Sequence, residues 1–187
     1  MLTTPLSVRQ VRTRLDRARV FEQLAAFDPR WVGSIPLDIH GPGADADIAC
    51  SAGPDLAVFG QALAMAFADH GVIVTDNMHA GEASVIARFT LHGLPVEIFG
   101  RKRPVETHES YVHWLAEDRL LRLAGEALRK DVRAAKAEGL KTEPAFAKVL
   151  NLGGDPHSEL LKLASPGDEA LLDLLGQAGY GPRGGKA

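Results

Sequence analysis

The feature that most constrains this chain is a short alternation, Asp45-Ala46-Asp47-Ile48, continued by Ala49-Cys50. Alternating polar and apolar residues mark a strand packed on one side. Residues i and i+2 of a strand point the same way, so Asp45 and Asp47 share one face while Ala46, Ile48 and Cys50 share the other. Two neighbouring carboxylates repel unless a cation lies between them. A hard divalent ion with oxygen ligands answers that repulsion, and Mg²⁺ normally arrives with a phosphate. Upstream, Trp31-Val32 reads as a short strand running straight into Gly33-Ser34. A glycine there lets backbone N–H groups approach a phosphate closely. Ten residues separate Ser34 from Asp45, with two glycines and two prolines among them, the composition of a connection.

The Gly33-Ser34 pair, the ten-residue spacing and Asp45-Ala46-Asp47-Ile48 resemble the signature of the DNA polymerase beta-like nucleotidyltransferase superfamily, over roughly residues 32–100. The whole chain also resembles a small, uncharacterised bacterial nucleotidyltransferase-like family, including its segment Gly139-Leu140-Lys141-Thr142-Glu143-Pro144-Ala145-Phe146. The resemblance implies an α/β (α+β) fold, a short mixed sheet backed by helices. It implies two carboxylates from one strand, Asp45 and Asp47, and a third from a neighbouring strand, Glu97. It implies Mg²⁺ or Mn²⁺ held by all three, with Gly33 and Ser34 meeting the β- and γ-phosphates of a nucleoside triphosphate. Many relatives carry an arginine soon after the Gly-Ser pair. Here that stretch has no Lys or Arg, only His40, so phosphate charge must be met from elsewhere. Arg88, Arg101, Arg103 and Lys141 are the candidates; each is otherwise a solvated surface charge.

Composition narrows the classes. At 187 residues the chain has room for one domain with a helical appendage. A net charge of −3 gives no reason to expect double-stranded DNA as partner. Cys50 is the single cysteine, which fits a reducing cytoplasm. No apolar run reaches membrane-spanning length, and the N-terminus lacks a secretory apolar region. The arginines between Arg9 and Arg19 are interrupted by Asp16, so they read as a solvated helix face.

In chain order, the pattern predicts a helix over about Val8 to Phe27, ended by Asp28-Pro29. A second helix, capped by Asp55 and ended by Gly71, is apolar nearly all round and is expected to be buried, Met65 included. Strands follow at 72–75 and 83–91, and a His92-Gly93 turn leads into the last strand, 95–100. On that strand Val96 and Ile98 oppose Glu97. The remainder is helical: residues 106–138 with a division at Gly125, a helix capped by Thr142, and one begun by Ser165-Pro166 with Asp168 completing a capping box. The expected organisation is a catalytic half, 1–103, a helical region, 104–178, and a disordered tail, 179–187.

Other constellations are weaker. His108 and His113 lie five apart, which turns the second about 140° from the first on a helix, unlike a zinc-protease pair. Tyr111 and Trp114 could stack a base but read first as core. The expected function is a metal-dependent nucleotidyltransferase that moves a nucleoside monophosphate from a nucleoside triphosphate to an unknown acceptor, a small molecule, protein or RNA end. The rival readings are a nucleotide-binding regulator without turnover and an antitoxin-like interaction protein.

Overall fold

The computed structural model describes residues 5–79 and 81–181. The chain divides into two compact units: residues 1–36 with 42–111, and residues 37–41 with 112–187. Among the described residues no helix is long and apolar enough to cross a membrane.

The first unit begins with α1 (Val8–Arg17), opened by a capping box in which Ser7 and Gln10 satisfy each other's backbone N–H groups. The single helix expected to Phe27 is broken. Arg19 adopts φ 51°, α2 (Val20–Gln23) follows, and one 3-10 turn (Ala25–Phe27) ends the run. The spacing of the buried anchors Val11, Leu15, Val20 and Leu24 explains the break. Leu15 and Val20 are five residues apart, so a straight helix would turn Val20 about 140° away from the core. One left-handed residue restores the phase.

The strands are β1 (Arg30–Val32), β2 (Ala46–Ser51), β3 (Ile73–His79), β4 (Glu82–Leu91) and β5 (Leu94–Arg101). They form one mixed sheet in the order β1-β2-β5-β4-β3. β2 and β5 are parallel and every other pair is antiparallel. A parallel pair needs a crossover, here supplied by α3 (Leu56–Ala66), β3 and β4. Ala46, Ile48, Cys50, Val96 and Ile98 are buried in one core with Val11 and Leu15 of α1 and Phe59 and Leu63 of α3. The opposite parity carries Asp47 and Glu97, both half-buried. Gly100 allows the closest approach of α3, since a Cβ there would lie 2.3 Å from the Phe59 ring.

Asp55 caps α3 as expected, accepting from the Ala57 and Val58 N–H groups, but the helix is not buried all round. Phe59 and Leu63 face the sheet, whereas Met65 is 81% and Val58 56% exposed. One sheet covers one face of a helix, however apolar the others are.

In the second unit, α4 (Glu109–Ala124) and α5 (Glu126–Ala137) are divided at Gly125, whose φ is 72°. α6 (Thr142–Val149), α7 (Pro156–Lys162) and α8 (Asp168–Gln177) complete the bundle. Its core joins Leu120, Leu128, Val132, Phe146, Leu160 and Leu171 with Leu37 and Ile39 of the inserted loop. That loop is held by Arg129 and Arg133, which donate to the carbonyls of Leu37 and Asp38 at 3.3 and 2.7 Å.

Two caps differ from expectation. Lys141, not Thr142, precedes α6, because the Thr142 hydroxyl accepts from Lys136 Nζ at 2.6 Å. Gly167 precedes α8 without a capping box, because Asp168 turns to Arg119 at 2.7 Å. α7 had a signal in Asp155-Pro156, an N-cap followed by proline at the first helical position. Tyr180 is 8% exposed and donates to Asp131. Residues 182–187 of the expected tail lie outside the described residues.

Candidate active site

The sheet lines up three charged side chains. Asp47 on β2 is the register partner of Glu97 on β5, and Glu97 is the register partner of Arg88 on β4. Register partners on adjacent strands project to the same face, with strands about 4.8 Å apart. The Arg88 Nη2 to Glu97 Oε2 distance is 2.6 Å. Asp45 sits one residue ahead of β2 and is exposed. It lines a cleft of about 350 Å³ together with Arg88, Glu97, His70, Ile73 and Phe89, the lower end of the range for small-molecule pockets.

Gly33 directly follows β1, whose last residue, Val32, is the register partner of Asp47. A Cβ at Gly33 would lie 2.2 Å from Asp47 Oδ2, and Gly33 has φ 77°. A side chain at position 33 therefore meets two obstacles: the left-handed backbone conformation, and the carboxylate against it. Ser34 is the next residue, in the turn that leaves β1.

The remaining candidates are placed differently. Arg101, at the far end of β5, is held by Glu82 at 3.1 Å and by Glu109. Arg103 pairs with the same two acids, at 2.9 and 2.6 Å. Burial raises the Glu109 pKa, but its own backbone N–H and the two arginines outweigh this and hold it at about 2. The charge of Arg101 is therefore already answered locally. Cys50 is fully buried, and burial pushes its thiol up to about 12, which makes it a core residue and no nucleophile. His40 and Lys141 belong to the second unit.

That unit holds a cluster the sequence reading did not assemble. Among the described residues, one set of three metal-ligand side chains has donor atoms within 4.8 Å of one another: His113 of α4, Glu143 of α6 and His157 of α7. Nδ1 of each histidine lies 3.7 Å from Glu143 Oε1. Glu117, one helical turn after His113, is 3% exposed. Its pKa is raised well above the ordinary value, first by burial and then by the charge of Glu143, against a lowering by Lys136. Spacing along the chain gave no signal for this set, because its members come from three separate helices.

The donor chemistry of Asp45, Asp47 and Glu97 suits a hard divalent ion. The glycine at position 33 leaves the Asp47 carboxylate the room that a side chain would fill.

The fold is that of nucleotidyltransferases. The chain superposes on the MgGTP-bound Cid1 poly(U) polymerase with a TM-score of 0.55 and 11% identity, covering 84% of this chain and 50% of that one. A Cid1 structure described for its RNA terminal uridylyl transferase activity gives 0.53 and 12%, covering 81% and 43%. The GLD-2/RNP-8 complex gives 0.53 and 11%, covering 79% and 58%. The chain thus spans about half the length of the solved structures it matches. None of the curated proteins matches it in sequence. A family model matches residues 13–163, and the chain belongs to that family, the domain of unknown function DUF4269.

Proposed function

We propose that this protein transfers a nucleoside monophosphate from a nucleoside triphosphate to an acceptor hydroxyl, releasing pyrophosphate. The observation that carries this reading is the register of Asp47 with Glu97 on adjacent parallel strands, on a fold shared with Cid1. Asp45, Asp47 and Glu97 would hold Mg²⁺ or Mn²⁺, which neutralises phosphate charge and activates the attacking oxygen. The Gly33 and Ser34 N–H groups and the Ser34 hydroxyl bind the β- and γ-phosphates. Arg88 supplies the positive charge that the stretch between Ser34 and Asp45 lacks. The acceptor oxygen attacks the α-phosphorus, and its proton passes to the Glu97 carboxylate. The bond from the α-phosphorus to the bridging oxygen breaks, and pyrophosphate leaves with that electron pair.

The ion pair of Arg88 with Glu97 at 2.6 Å favours one rival, a nucleotide-binding regulator without turnover, because it engages the third acid. Incubation with Mg²⁺, labelled nucleoside triphosphates and cell extract separates the two. Label transferred to an acceptor supports the enzyme; tight nucleotide binding with no transfer and no pyrophosphate supports the regulator.

A further inference from the structure

We propose that His113, Glu143 and His157 form a binding site for a divalent transition-metal ion, zinc, within the helical unit. None of its residues belongs to the Asp45, Asp47 and Glu97 set, so the two sites stand or fall separately.

Distance is the first argument. A tetrahedral zinc site with bonds of about 2.0–2.1 Å places its ligand atoms about 3.3–3.4 Å apart. Here Glu143 Oε1 lies 3.7 Å from Nδ1 of both histidines. All three donor atoms lie within 4.8 Å of one another, so side-chain rotation alone would close the site.

Hydrogen bonding is the second argument. His113 Nε2 lies 2.9 Å from the backbone carbonyl oxygen of His157. A carbonyl only accepts, so Nε2 carries the proton. When the ring is neutral, Nδ1 then presents a lone pair toward the acceptor oxygens of the Glu143 carboxylate. A cation between them resolves that opposition. A metal-bound histidine ordinarily donates its other ring N–H to a carbonyl or carboxylate, as His113 does here.

The third argument is Glu117. It lies four residues after His113 on α4, hence on the same helix face. It is 3% exposed, and its Oε1 has no hydrogen-bond partner. A cation, or a water bound to one, would satisfy that buried oxygen.

Ligand type separates a transition metal from the hard alkaline-earth ions. Two imidazoles and one carboxylate suit zinc, whereas Mg²⁺ and Ca²⁺ prefer oxygen donors throughout. Three protein ligands leave a fourth position for water or substrate. The His157 side chain is 53% exposed and that of His113 9%, so the ion enters past His157 and the site is closed behind it.

The test is equilibrium dialysis of the full chain, stripped with chelator, against zinc in excess Mg²⁺, with Co²⁺ as a spectroscopic substitute. One zinc per chain is expected, with the visible absorption of a tetrahedral Co²⁺ complex. Loss of an outer-sphere partner costs about 10–100-fold in affinity, so His157→Ala and Glu143→Gln should each weaken binding by about 100-fold or more. Asp47→Asn should leave zinc binding unchanged. His157 is half-exposed, so its replacement leaves the core intact, and circular dichroism verifies this. Absence of stoichiometric zinc in the wild type would overturn the proposal. So would binding that persists in both cluster variants, or that disappears in Asp47→Asn.

Discussion

Asp47 and Glu97 face each other in register across the parallel strands β2 and β5, and Arg88 faces Glu97 from the other side on β4. Glu97 thus lies between a like and an opposite charge. The guanidinium at 2.6 Å offsets the repulsion that a second carboxylate imposes.

Glu97→Gln keeps the shape and removes the charge. Nucleotide affinity, measured by calorimetry, should change by no more than a few-fold. The chemical step in single turnover should fall by about 100-fold or more, since each ~1.4 kcal/mol of lost transition-state stabilisation is tenfold in rate. An unchanged single-turnover rate removes Glu97 from the chemistry.

Gly33→Ala meets two obstacles, a φ of 77° and an oxygen 2.2 Å from the new Cβ. The left-handed conformation alone costs about 1–2 kcal/mol, and displacement of the Asp47 carboxylate adds to it. The urea midpoint should fall and nucleotide binding should be lost. An unchanged midpoint would show that the turn after β1 tolerates a side chain.

Asp47→Asn retains the volume and one acceptor oxygen while relieving repulsion among the acids. Without metal the variant should melt at the wild-type temperature or slightly above it, and transfer activity should be abolished. A large drop in the apo melting temperature would make Asp47 a structural residue.

Glu117 sets a pH dependence. Its folded-state pKa is raised by burial and by Glu143, so the native state holds a proton that the unfolded chain releases above about pH 4.3. Stability from this group is therefore lost as pH rises from that value toward the folded pKa. Glu117→Gln removes the titration. With chelator present, the variant should gain on the wild type by about 1.4 kcal/mol per pH unit across that window. Parallel stability curves for the two proteins would show that Glu117 ionises normally.

Strand parity was legible along the chain because a strand's period of two is a local property. The alternation around Asp45 and Asp47, and Val96 and Ile98 against Glu97, correctly sorted buried from open faces. The caps were less legible. Thr142 has the right chemistry for an N-cap and Asp168 for a capping-box partner, but Lys136, six residues before Thr142, and Arg119, 49 residues before Asp168, engage their oxygens instead. The break at Arg19 was hidden in a five-residue gap between two buried positions, a phase error that only the core makes costly.

By itself the sequence determined the mixed α/β character, the division at Gly125 and the facing of β2 and β5, all set by short-range periodicity and backbone preference. The tertiary structure decided what depends on partners far along the chain. It aligned Asp47, Glu97 and Arg88 through strand order, left Met65 in solvent because one sheet covers one helix face, and gathered His113, Glu143 and His157 from three helices. Side chains 30 and 14 residues apart along the chain share no local period. Only the packing of the helices that carry them brings their donor atoms together.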